Sequence, residues 1–133
     1  MQLIREGALR LALMPKVTAT STVLLLPGRA EFIEKYTPML AALHDLGLAV
    51  AMLDWRGQGG SARFLADPRR GHVPDFTAYL DDLETLIGAV RRAGLPPPLL
   101  AIGHSMAGQE SIVRNDAIRA AAQRLPHCEL VPY

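Results

Sequence analysis

Ser105 lies in Gly103-His104-Ser105-Met106-Ala107-Gly108, directly after the apolar run Pro98-Leu-Leu-Ala-Ile102. A serine hydroxyl set on a sharp strand-to-helix turn is a nucleophile for acyl carbons, because the turn lifts Oγ clear of the sheet. Such a turn crowds its neighbours, so the positions two before and two after the serine must be nearly free of side chain. Gly103 and Ala107 meet that demand. The same geometry aims the backbone N–H of Met106 at the point where an oxyanion forms. The five-residue pattern alone is common by chance, and an ordinary serine in a surface turn is its plain alternative. The strand in front of it gives the pattern its weight.

Two other loops carry candidate groups. Pro27-Gly28-Arg29-Ala30-Glu31-Phe32 follows an apolar run, at the strand end where open α/β sheets gather their functional groups. Gly28 allows close approach of the backbone, which makes the N–H of Arg29 a second oxyanion donor opposite Met106; a simple Pro-Gly turn is the alternative. Asp54-Trp55-Arg56-Gly57-Gln58-Gly59-Gly60-Ser61 is glycine-rich but fits neither phosphate-loop spacing. It is read as a rigid loop beside the site, with Asp54 and Arg56 expected to form a structural pair.

The elements that must position these groups alternate between strand-length apolar runs and segments of helical period, the pattern of a parallel α/β sheet. The expected strands are 9–14, 22–26, 48–53, 99–102 and 129–131. Tyr36, Met39, Leu40, Leu43 and Leu46 recur at helical spacing, and Gly47 closes that helix in the left-handed region. Phe76, Tyr79, Leu80, Leu83, Leu86, Ile87 and Val90 mark the face of a longer helix, with Asp75 as N-cap, Gly94 as C-cap and three prolines as a stop. These stripes are read as core.

The 133 residues are half apolar and one-fifth charged, which suits one globular domain and excludes a disordered chain. A net charge of +1 gives no reason to expect nucleic acid, and Arg69-Arg70 and Arg91-Arg92 are too short for a basic stripe. The single cysteine, Cys128, rules out an internal disulfide and reads as a small core residue. No apolar run approaches the roughly 20 residues of a membrane span, and no leader pattern opens the chain, so a cytoplasmic location is expected. No cofactor and no metal are expected.

From Glu6 to Met106 the chain resembles the lysophospholipase and monoacylglycerol-lipase branch of the α/β-hydrolase superfamily, also grouped with the serine aminopeptidase-like hydrolases. The resemblance is carried by Leu-Leu-Leu-Pro-Gly-Arg-Ala-Glu-Phe-Ile-Glu-Lys-Tyr at 24–36, Leu-Asp-Trp-Arg-Gly-Gln-Gly at 53–59, Gly-His-Val at 71–73 and Gly-His-Ser-Met at 103–106. It implies that Ser105 is the nucleophile, that Arg29 and Met106 supply the oxyanion N–H groups, and that the substrate is a small-molecule ester of a long acyl chain.

After Met106 the resemblance jumps. The family's elbow leads into a long apolar helix, a lid and further strands before its catalytic acid, whereas residues 107–115 here are similar to the acid-bearing turn itself. Glu110 then holds the acid position, and 116–125 and 129–133 resemble the segments that follow it. The expected architecture is a truncated α/β-hydrolase fold: one incomplete domain over 1–133, a mostly parallel sheet flanked by helices, and no lid. If a helix continues past Ser105, a rise of about 1.5 Å per residue carries Glu110 some 7 to 8 Å along the axis and round to another face.

The family's catalytic histidine matches none of His44, His72, His104 and His127. His104 is expected to be a packed neighbour, His72 is the nearest to a substitute base, and His44 and His127 are expected at the surface. The strand at 129–131 must find a new neighbour, with the edge beside 99–102 as candidate, and an unpaired edge invites self-association. Three readings follow: a serine carboxylic-ester hydrolase, a catalytically incomplete or purely binding relative with residual catalysis of about 10³ over water, and an acyl transferase.

Overall fold

The computed structural model describes residues 1–67, 77–105 and, for the backbone, 128–129. The chain opens with a hairpin of β1 (Gln2–Glu6) and β2 (Leu9–Met14), turned at Gly7 with a φ of +56°. Next come β3 (Thr22–Leu26), a 3-10 turn (Ile33–Tyr36), α1 (Thr37–Asp45) and β4 (Ala49–Asp54). Then follow α2 (Ala78–Arg92), β5 (Leu99–Gly103) and a two-residue β6 (Cys128–Glu129).

The strands form one mixed sheet in the order β1-β2-β4-β3-β5-β6. β3 lies parallel between β4 and β5, while β2 runs antiparallel to β4. The sheet is therefore less uniformly parallel than its alternating pattern suggests. β1 was not foreseen, because Gln2, Arg5 and Glu6 make it an edge strand without an apolar run. β6 pairs with β5, Leu99 opposite Cys128, which is the edge expected for the 129–131 strand; residues 130 and 131 lie outside the described residues.

Every residue of β3 and β4 is buried, as suits central strands covered on both faces. Their side chains alternate between two clusters. Leu24, Leu26, Ala51 and Leu53 join Leu83, Leu86 and Val90 of α2, while Leu25, Val50 and Met52 meet Leu40 of α1 and Ile33. Each fully buried leucine is worth about 2 kcal/mol against exposure, so this two-sided burial fixes the register of the strands whose ends carry the site.

α2 presents the expected face, begins after Thr77 and ends at Gly94 with a φ of +71°. Asp75 and Phe76 lie outside the described residues. α1 departs from its expected stripe: Leu40 is buried, Leu43 and Tyr36 are partly so, and Met39 and Leu46 face solvent. Leu46 is 78% exposed because it sits at the last turn, where Gly47, with a φ of +95°, swings the chain into β4.

Candidate active site

The parallel pairing of β3 with β5 sets Leu26 opposite Gly103, so the turns that leave these strands start side by side. The N–H of His104 donates to the carbonyl of Leu26 at 3.0 Å and extends the pairing one residue past the strand. Ser105 comes next, exposed, with a φ of +51°. A residue with a Cβ enters that left-handed region at a cost of about 1 to 2 kcal/mol, which the surrounding structure must supply.

Gly28 is what Ser105 faces. A Cβ built on Gly28 would lie 2.9 Å from Ser105 Cβ, 2.9 Å from Glu31 Oε2 and 3.3 Å from the His104 carbonyl. The glycine therefore admits the serine turn itself.

The turn at 27–30 is clamped from three sides. Trp55 Nε1 donates to the Pro27 carbonyl at 2.8 Å, the Gly28 N–H donates to Glu31 Oε2 at 2.6 Å, and the Ala30 N–H donates to Gln58 Oε1 at 2.5 Å. Ala30 has a φ of +59°, a second left-handed residue with a side chain. The N–H groups of Gly28 and Ala30 are thus both engaged by side chains. The Arg29 N–H between them donates to no group among the described residues.

Glu31, 6% exposed, ties this turn to the serine turn. Its Oε2 accepts from Tyr36 Oη at 2.5 Å and lies 2.9 Å from His104 Nδ1, while Oε1 pairs with Lys35 Nζ. Burial pushes the carboxyl pKa up, but hydrogen bonds from Lys35, Tyr36, His104 and the Gly28 N–H outweigh it and hold the pKa at about 2. Burial and the bond to Glu31 raise the Tyr36 hydroxyl above its usual range, so it stays a donor at neutral pH. The Tyr36 and His104 rings meet edge to face, centroids 6.3 Å apart.

The loop after β4 is built differently. Asp54, fully buried, accepts from Arg10 Nε at 2.7 Å, from the Ile33 N–H at 2.9 Å and from the Gly60 N–H at 2.7 Å. Arg10 also forks onto Glu34, at 2.6 and 2.8 Å. The expected Asp54–Arg56 pair is absent: Arg56 donates instead to Asp82 of α2, Nε to Oδ1 at 2.8 Å and N–H to Oδ2 at 3.0 Å. Asp54 already faces a guanidinium from the neighbouring β2, and the chain reverses after Trp55, which sends Arg56 toward the helix.

Of the residues singled out in the sequence, the structure brings Gly28, Arg29, Gly103 and Ser105 together at the ends of β3 and β5. Met106, Ala107 and Glu110 lie outside the described residues, as do His72 and His127. His104 is not a packed neighbour, since its side chain is 59% exposed and bound to Glu31. His44 is half-buried near the end of α1, its Nε2 3.2 Å from the Pro15 carbonyl. Sequence reasoning missed Glu31, Tyr36 and Arg10; the only local signal was the four-residue spacing of Glu31 and Lys35. Among the described residues no cluster of His, Cys, Asp and Glu is suited to hold a metal ion, and no helix is long and apolar enough to cross a membrane.

Residues 18–124 match the family described as serine aminopeptidase, S33. The chain is 41% identical over 86 residues to lysophospholipase L2 of Escherichia coli K12, covering 65% of this chain and 25% of that protein. It is 31% identical over 94 residues to a monoacylglycerol lipase of Mycolicibacterium smegmatis, covering 71% of this chain and 32% of that protein. It therefore spans about a quarter to a third of the length of these relatives. Among solved structures, a thermostable carboxyl esterase from Bacillus coagulans superimposes with a TM-score of 0.62 at 20% identity, over 80% of this chain and 36% of that one, a likeness of fold.

Proposed function

The chain belongs to the serine aminopeptidase S33 family, with an α/β-hydrolase fold, and we propose that it supplies the nucleophile and oxyanion-binding part of a serine carboxylic-ester hydrolase of lysophospholipase or monoacylglycerol-lipase type. Ser105 Oγ attacks the acyl carbon of a long-chain ester, and the negative charge formed on the carbonyl oxygen is held by the N–H groups of Arg29 and Met106. The ester C–O bond then breaks, the alcohol leaves with a proton, and water releases the fatty acid from Ser105. Gly103 and Ala107 are the small positions that let the turn form.

Glu110 keeps the place of the catalytic acid by its match to the family's acid-bearing turn. Neither described histidine is assigned as the base: His104 holds Glu31, and His44 is engaged at the end of α1. A cytoplasmic location is part of the same reading.

The observation that carries the proposal is the left-handed backbone of Ser105 packed on Gly28, beside an Arg29 N–H without an internal acceptor among the described residues. Intact-mass analysis after treatment with a fluorophosphonate tests it. One adduct per chain, lost in Ser105→Ala, is the expected result. An adduct that survives the substitution, or no adduct on a chain with native circular dichroism, removes Ser105 as nucleophile of this chain.

A further inference from the structure

Beside the oxyanion turn, a cavity of about 500 Å³ opens between the loops that follow β3 and β4, a size that suits a small polar ligand. Its walls carry three guanidinium groups, from Arg10, Arg29 and Arg63, against one carboxylate, Glu34.

The charges are not evenly engaged. Arg10 forks onto both oxygens of Glu34 and also holds the buried Asp54, so the acids near the cavity are already paired. Glu34 stays ionised, because the Arg10 bond holds its pKa below the ordinary carboxylate value. Arg29 makes no side-chain hydrogen bond or ion pair among the described residues. Arg63 is pinned across the glycine loop, with Nη1 on the Gly57 carbonyl and Nη2 on the Gly59 carbonyl at 2.8 Å. A guanidinium has five N–H donors, so further donors remain on a group whose position is fixed. Phe32, 43% exposed, adds an apolar wall.

Two guanidinium groups without acidic partners, one of them fixed in place, match the oxygens of a phosphate better than those of a neutral alcohol. We propose that this cavity binds the phosphate of a glycerophosphate headgroup through Arg29 and Arg63, selecting phosphate-bearing ester lipids over neutral glycerides. Arg29 then serves twice: its backbone N–H faces the acyl carbon site and its side chain faces the headgroup, with the glycerol spanning the two. Identifying the ligand as substrate rests on the ester-hydrolase reading; the binding itself does not.

Calorimetric titration of the full chain at low ionic strength, with sn-glycerol 3-phosphate, inorganic phosphate and glycerol as probes, tests the assignment. Glycerol phosphate binds more tightly than inorganic phosphate, and glycerol shows no measurable heat. Arg29→Gln weakens glycerol phosphate several-fold, and combining it with Arg63→Gln weakens it about tenfold or more, with much of the affinity lost to screening at 1 M salt. Should Arg63→Gln disturb the glycine loop, Arg29→Gln alone carries the test, since that side chain has no described partner to leave behind. Unchanged affinity in Arg29→Gln would overturn the proposal. Inorganic phosphate binding as tightly as glycerol phosphate would assign the cavity to the free ion and overturn the headgroup. The probes hold no acyl ester, so the outcome is independent of whether Ser105 is the nucleophile.

Discussion

The loops after β3 and β4 leave adjacent strands at the same edge of the sheet, and both contain glycine and charged residues, yet they end in opposite states. In the β4 loop a buried acid draws the neighbouring polar groups around itself. Asp54 gathers Arg10, the Ile33 N–H and the Gly60 N–H, and Ser61 Oγ donates to the Asp54 carbonyl while accepting from the Arg10 N–H. In the β3 turn the clamps from Trp55, Glu31 and Gln58 fall on Pro27, Gly28 and Ala30 and skip Arg29. Glycine content does not separate the two loops. The difference lies in what each loop is built around: a buried charge after β4, and after β3 a rigid turn whose Arg29 N–H stands beside Ser105, the kind of group that electrostatic stabilisation of a transition state requires.

The comparison breaks most directly at Asp54. Asp54→Ala strips the half-buried Arg10 of its buried acid and leaves the Ile33 and Gly60 N–H groups without their acceptor, and the expected loss is about 3 to 5 kcal/mol of stability. Urea unfolding measures it. Because the β4 loop is structural, the fraction that remains folded keeps its rate of fluorophosphonate labelling. A variant of native stability that labels slowly would erase the distinction between the loops. Gly28→Ala sharpens it from the other side. The added methyl meets Ser105 Cβ and Glu31 Oε2 inside van der Waals distance, so a loss of up to about 3 kcal/mol accompanies a labelling rate reduced by about tenfold or more. Labelling at the wild-type rate would show that the approach of Gly28 to Ser105 is incidental.

The sheet was legible where burial wrote a pattern. β3 and β4 are continuous apolar runs, and Gly47 and Gly94 mark helix ends, because a left-handed terminus has a composition of its own. β1 carried no such mark, and the antiparallel direction of β2 is a property of long-range pairing that its own residues do not encode. The strand before Ser105 was legible as an apolar run, and β5 ends at Gly103, directly ahead of the Ser105 motif. Glu31 was not: beyond the local pairing with Lys35 its carboxylate meets Gly28, Tyr36 and His104, and the last is 73 residues away in sequence. The Asp54–Arg56 pair failed for the same reason, since a charge finds the nearest guanidinium in space, here on β2, rather than the nearest in the chain.

Acid offers the mildest probe of the contrast, because it acts on Glu31 without changing the sequence. The carboxyl pKa falls from an ordinary 4.5 in the unfolded chain to about 2 in the folded one. The folded state therefore binds this proton less readily, and the stabilisation is complete above pH 4.5 and lost as pH drops toward 2. Lys35 is more than half exposed and its contribution is screened, so the change from pH 6 to pH 3 is about 1 to 2 kcal/mol. Urea midpoints at the two values, compared with those of Glu31→Gln, measure it. The variant keeps an acceptor for the Gly28 N–H and Tyr36 Oη but has no charge to lose, so its stability falls less over the same interval. An identical fall in both proteins would move the acid sensitivity elsewhere and reduce Glu31 to a spacer. A smaller fall in the variant, with slower labelling of Ser105 already at pH 7, would mean that the charge on this one carboxylate holds the two turns in register.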